Sequence, residues 1–177
     1  NDKNWVNQAG SEVDLLTGKV KIGWGEKVNF LEAKQIQGSG TVMLFKRSLV
    51  NKIGGFEEWY ICYSDPEYCV RASKAGYTSW YEPKAVCYHD QSKDPNVWGP
   101  RVLSRAYYLG RNRTLFMKKY GNMIGYTLFL PFLMIYYLYV SIKFNILRKW
   151  FELLTGAIHG YFYPVNKSLK VNLPKIK

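Results

Sequence analysis

The sequence predicts an α/β protein: a mixed sheet with flanking helices, followed by a hydrophobic, membrane-associated helix. Three observations carry this. Short apolar runs and helix signals follow one another in the order strand, helix, loop, helix, strand, strand through the first half of the chain. Charge is split: all but one of the 13 acidic residues lie before Pro95, whereas about half of the 25 basic residues follow it. Residues 123–142, MIGYTLFLPFLMIYYLYVSI, contain no charge at all.

Composition excludes several classes. Among the 177 residues, aromatics reach 17%, too many for a disordered chain. The 15 glycines have no triplet period, which excludes collagen. Three cysteines are too few, and an odd number, for a disulfide-stapled secreted domain, so a reducing compartment is expected. The chain opens Asn1-Asp2-Lys3-Asn4, with no Met and no cationic-then-apolar leader. It is therefore expected to be a piece of a longer protein, part of whose function lies elsewhere.

Taken in order, Leu16-Thr17-Gly18 and Gly23-Trp24-Gly25 read as turns between short extended pieces. Thr41–Phe45 is a compact apolar run and reads as a buried strand. Ser48–Ile53 before Gly54-Gly55 reads as a short helix stopped by glycine. In Ser64-Asp65-Pro66-Glu67, proline just after Ser and Asp is a helix start, with Asp65 at the cap. That helix runs through Ala75 to a stop at Gly76. Tyr77–Tyr81 and Ala85–His89 read as strands, and Val102–Tyr120 as a basic helix.

The basic C-terminal half calls for an anionic partner. Residues 123–142 choose between membrane and nucleic acid, because 20 uncharged residues at about 1.5 Å each match the roughly 30 Å bilayer core. An anionic membrane surface is expected, and no nucleic acid. Lys118 and Lys119 precede the run; Lys143, Arg148 and Lys149 follow it. Both flanks being basic, the sequence leaves open whether the run spans the bilayer or pairs in its plane with Trp150–Tyr163.

Asp65 is the candidate general base, since a helix N-terminus favours an ionised carboxylate. His89, at a strand end, is a candidate divalent-metal ligand through a ring nitrogen. Cys62, Cys69 and Cys87 lack any C-x-x-C knuckle.

Gly38-Ser-Gly-Thr-Val-Met-Leu-Phe-Lys-Arg47, Ile53-Gly-Gly-Phe-Glu57, Tyr63-Ser-Asp-Pro-Glu67, Arg71, Ala75-Gly-Tyr77, Glu82-Pro83 and His89, as an ordered set, resemble family-2 glycosyltransferases. Tyr107-Tyr108 and Arg111-Asn112 add the pattern that some bacterial members carry before a membrane-associated tail. The resemblance covers Trp5 to about Tyr120 and implies part of a GT-A, Rossmann-like fold. It implies an inverting transferase of the hexosyltransferase type, in bacterial surface-polysaccharide or lipid-linked glycan synthesis. The donor would be a nucleotide sugar, the acceptor a glycan or lipid-linked hydroxyl compound, and the cofactor a divalent cation, Mn or Mg. The membrane would be a bacterial inner membrane, with the catalytic domain on its cytoplasmic face.

By this resemblance Asp65 is the base, Ser64 replaces the family's Glu before it, and Glu67 and Arg71 lie on the helix behind it. Gly38, Ser39 and Gly40 form a glycine turn beside the sugar, and His89 is a metal ligand. These make Gly38, Ser39, Gly40, Ser64, Glu67 and Arg71 the expected substrate-binding residues. The family's Asp-x-Asp metal motif is missing: Glu12-Val13-Asp14 lacks the preceding buried strand, and Asp65-Pro66-Glu67 fits the base region better. The expected organisation is 1–117, the acceptor-side half; 118–149, a basic-flanked membrane helix; and 150–177, a basic amphipathic tail. The nucleotide-binding half is expected to be absent, so the fragment alone should not turn over substrate. The competing reading is a non-catalytic membrane-anchored interaction module of the same fold.

Overall fold

The computed structural model describes residues 5, 6, 8–23, 25–38, 42–57, 62–88 and 100–164; over these the chain combines short antiparallel ladders with longer helices. Strands β1 (Trp5–Val6) and β4 (Gly25–Glu26) form one ladder. Strands β2 (Ser11–Val13) and β3 (Val20–Ile22) form a hairpin, and β5 (Lys34–Ile36) pairs with β6 (Ser79–Tyr81). In β2, Ser11 and Val13 are buried and Glu12 is exposed, the period of two that a half-buried strand requires. Glu12 sits opposite Lys21, setting opposite charges across the ladder. The Asp14 carboxylate closes the turn by accepting from the Leu16 N–H (2.8 Å) and the Thr17 hydroxyl (2.6 Å). Gly18 follows at φ 68°, a left-handed conformation open to glycine without a Cβ penalty.

Two expected strands are corrected. Residues 42–46 and 85–88 carry no regular structure, and Leu44 and Tyr88 are exposed; Thr41 and His89 lie outside the described residues. A strand persists where a neighbour takes up its backbone groups. Among the described residues every ladder is two-stranded and antiparallel, so the parallel pairing of a Rossmann-like sheet is not present there.

The helix signals fare better. Helix α1 (Arg47–Ile53) ends at Gly54, φ 80°, whose N–H reaches Val50 O at 2.8 Å. Helix α2 (Ser64–Lys74) ends where the Tyr77 N–H donates to Ala72 O (3.0 Å) around Gly76. The two pack through Leu49, Tyr68 and Ala72. The basic helix is two pieces: a turn α3, residues 100–103, and α4 (Ala106–Tyr120). Helix α5 (Met123–Lys143) begins at Asn122, whose side chain accepts from the Gly125 N–H (2.9 Å), and runs on through Pro131. Helix α6 (Leu147–Phe162) follows a tight turn in which Asn145 adopts φ 54°.

Helix α4 is the centre of the molecule. Asn112 to Met117 are all buried, so every side of the helix has a neighbour. Its contact with α6 runs backbone to backbone. A Cβ on Gly110 would strike Leu153 O, one on Gly156 would strike Tyr107 O, and one on Gly160 would meet Arg111 O at 2.7 Å. Gly156 and Gly160 form the four-residue small spacing that lets helices approach this closely. Contacts advance together along both helices, so α4 and α6 are parallel. Helix α5 is antiparallel to both: its Tyr126 meets Thr114 (2.9 Å) and its Met134 O accepts from Trp150 Nε1 (2.9 Å).

Gly156→Ala drives a methyl into backbone that no rotamer change relieves. It is expected to destabilise the chain by about 2–3 kcal/mol, read as a lowered urea midpoint, whereas Thr155→Ala on the exposed side should shift it little. Equal midpoints for the two variants would refute the close approach.

Candidate active site

The junction Cys62-Tyr63-Ser64-Asp65 is held from outside. Asn112 Nδ2 donates to Cys62 O (3.0 Å). The Tyr63 ring packs on Phe116, centroids 5.4 Å apart, and its hydroxyl donates to Gly18 O (2.5 Å). Burial pushes that hydroxyl above its ordinary pKa and keeps it a donor. Between these anchors Tyr63 takes φ 68°, a conformation costing a bulky side chain about 1–3 kcal/mol. This strained residue, not Ser64 or Asp65, is the helix cap, and no side chain closes the helix end.

Asp65 therefore lies inside the first turn of α2 with its carboxylate unspent. Among the described residues the Ser64 hydroxyl donates to it, weakly at 3.4 Å. Burial raises its pKa, with the Ser64 hydroxyl opposing. Burial acts against the preference of a helix N-terminus for an ionised carboxylate, and by raising the pKa it makes Asp65 a better proton acceptor than an exposed Asp. Gly38 is brought to the same place. It bridges to Ser11 (Ser11 N to Gly38 O, 2.9 Å), and a Cβ on it would lie 3.7 Å from Pro66 Cα, next to Asp65. Among the described residues the buried Ser11 Oγ beside it has no hydrogen-bond partner. Ser39, Gly40 and His89 lie outside the described residues.

Glu67 and Arg71 are engaged by the protein's own groups. Glu67 is 1% exposed. Its Oε1 accepts from Arg71 Nε (3.0 Å), Tyr120 hydroxyl (2.6 Å) and Lys119 Nζ (3.5 Å), and its Oε2 from Arg71 Nη2 (3.1 Å). Lys119 also pairs with Glu57. Arg71 reaches on to Ile53 O (2.5 Å) and Gly55 O (2.7 Å), tying the end of α1 to α2. These are positioning residues. Sequence reasoning missed the α4 residues that hold this region, Phe116 against Tyr63 and Lys119 and Tyr120 against Glu67, and saw Asn112 only within a motif. The signal was the spacing 112, 116, 119, 120 on one face of a helix.

The remaining motifs are spent on packing. Arg113 donates to Thr17 O (2.9 Å), Arg111 stacks on the Tyr163 ring (4.5 Å), and the Tyr107 hydroxyl meets His159 Nδ1 (3.2 Å). Asp14 is held by Thr17 and Leu16, which depress its pKa. Among the described residues no three His, Cys, Asp or Glu side chains converge to hold a metal ion, and the expected ligand His89 lies outside them. No protein-family model matches the chain, and no curated protein or solved structure matches it.

Two outcomes follow. Arg71→Ala strips a buried carboxylate of its bidentate partner and is expected to cost about 3 kcal/mol in chemical denaturation; a change within error would mean that Glu67 is solvated by other means. For Asp65, a folded pKa raised above 3.8 means the fold holds the proton more tightly, so stability declines as pH rises from 3.8 through the folded value and stays lower beyond. Asp65→Asn should melt above the natural chain near neutral pH, the gap narrowing as pH falls toward 3.8. A gap that widens on acidification would reverse the sign of the shift.

Proposed function

We propose that this chain is the acceptor-side part of a membrane-associated inverting glycosyltransferase, with Asp65 as its general base. One observation carries the reading: the Asp65 carboxylate is half-desolvated and, among the described residues, hydrogen-bonded to Ser64 alone, at a helix start whose neighbours on both sides are locked to α4. A carboxylate used only to cap a helix would be hydrogen-bonded to the first backbone N–H groups. The family resemblance of the residues around it supplies the reaction class.

In this reading Asp65 takes the proton of an acceptor hydroxyl. The freed oxygen pair attacks the sugar's anomeric carbon from the face opposite the nucleotide. The bond to the phosphate oxygen breaks, its electron pair leaves with the nucleotide, and configuration inverts. Gly38, where a Cβ would strike Ser11 Oγ, lets that strand end pack beside Pro66 at the junction. Nucleotide-sugar recognition belongs to residues outside this chain, and no step is assigned to a metal ion. The acceptor is a glycan or lipid-linked hydroxyl compound, and the long apolar α5 supports membrane association; the resemblance implies the cytoplasmic face of a bacterial inner membrane.

Asp65→Asn, in an enzyme that also carries the nucleotide-binding half, is expected to lower kcat by about a thousandfold while leaving donor affinity unchanged. Asp65→Glu should recover part of the rate. Full activity in the Asn variant would remove Asp65 from the chemistry.

A further inference from the structure

Helix α5 is 21 residues long with mean hydropathy 1.7, enough to cross a bilayer by length and composition. Its neighbours do not permit it. The β2–β3 turn lies against its first turns: the Asn122 N–H donates to Leu15 O (2.7 Å), and Leu16 abuts Gly125. Arg113, bonded to Thr17 O, sits 5.7 Å from the Phe129 ring. Near the helix midpoint, Trp150 reaches Met134 O, and the Lys149–Glu152 ion pair (2.7 Å) flanks that tryptophan. A bilayer core matched to α5 would bring a polar turn, a guanidinium and an ion pair toward hydrocarbon depth. Lipid-exposed irregular backbone does not occur there, and charge is costly even when paired.

The opposite side of α5 is different. Leu128, Phe132, Ile135, Tyr139 and Ile142 recur every three or four residues and are all exposed. Phe151 and Phe162 are exposed on α6. At the shared end an apolar groove of about 400 Å³ joins the two helices, lined by Met123, Ile124, Thr127, Leu128 and Tyr161. At the other end Arg148, 92% exposed and 3.5 Å from Glu152, follows Lys143 across the α5–α6 turn.

We propose that α5 and α6 lie in the plane of an anionic bilayer surface, their exposed apolar stripes sunk to the acyl boundary and Lys143 and Arg148 at the headgroups. Charge selects the occupant. The face borders the half of the chain that carries nearly all of its +12, which suits anionic lipid. The inference is independent of the chemistry at Asp65.

The test uses the unmodified chain on sealed phosphatidylcholine vesicles containing phosphatidylglycerol. The chain is expected to float with the vesicles, and trypsin added outside should cut at Arg148 as fast before as after detergent opens them. Protection of Arg148 until opening would mean that α5 spans. Failure to float, or a soluble dimer that Phe132→Asp converts to monomer, would make a second copy the occupant and overturn the proposal. The double variant Phe132→Asp, Ile135→Asp, at exposed positions, should keep the natural melting temperature and lose about tenfold or more in vesicle affinity. Unchanged affinity would overturn the assignment of the face.

Discussion

A carboxylate sealed from water must be solvated by the protein, and Glu67 is sealed. Everything around it follows from that requirement. Arg71 supplies a two-pronged contact from one turn along α2, Tyr120 a hydroxyl and Lys119 an ammonium from α4. Because Arg71 also holds Ile53 O and Gly55 O, and Lys119 also holds Glu57, the same cluster gathers α1, the loop after it, α2 and the end of α4. Such clusters add little net stability over a packed apolar core, but once built they are costly to break. Their use here is geometric: they fix the helix on which Asp65 rides.

Helix α4 can serve this cluster because its other faces are equally committed. The face with Gly110 and Thr114 meets the glycines of α6, and Arg113 and Met117 meet the hairpin turn at Gly18. Lys118 donates to Tyr161 O and Tyr163 O and so closes the C-terminus of α6. The strain at Tyr63 is sustained by the same helix, through Phe116 on one side and the hairpin that Arg113 holds on the other. Backbone strain persists only where the surroundings over-determine it. Here they do so one residue before the uncommitted pair Ser64-Asp65.

What was legible in the sequence was local. Gly54 and Gly76 announced where α1 and α2 stop, and Ser-Asp-Pro announced the start of α2, with Asp65 two residues past the cap at Tyr63. That the cap itself is a left-handed tyrosine could not be read, since aromatic residues avoid that region unless tertiary contacts impose it. Thr41–Phe45 and Ala85–His89 looked like strands from composition alone, and composition carries no information about a partner strand. Lys118 and Lys119 illustrate the same limit. Beside an apolar run they resemble a headgroup anchor, yet one closes α6 and the other pairs with Glu57 and Glu67, 62 and 52 residues away in sequence. The Gly156–Gly160 spacing takes its meaning only from the α4 backbone it meets at Tyr107 and Arg111.

The site and the apolar helices are thus coupled by construction. The residues that hold the Asp65 junction (Asn112, Phe116, Lys119 and Tyr120) and those that meet α6 (Gly110 and Thr114) lie on one helix about four turns long. A rigid helix transmits a displacement at one face to the other, and backbone packed against backbone at Gly110 and Gly156 has no side-chain slack to absorb it. Any surface that orients α5 and α6 therefore also orients Asp65. A soluble α/β domain joined to a lipid-facing helix by a flexible linker would show no such continuity. In this chain the turn between α4 and α5 is Gly121-Asn122 alone, too short to act as a hinge without breaking the Tyr120–Glu67 bond next to it.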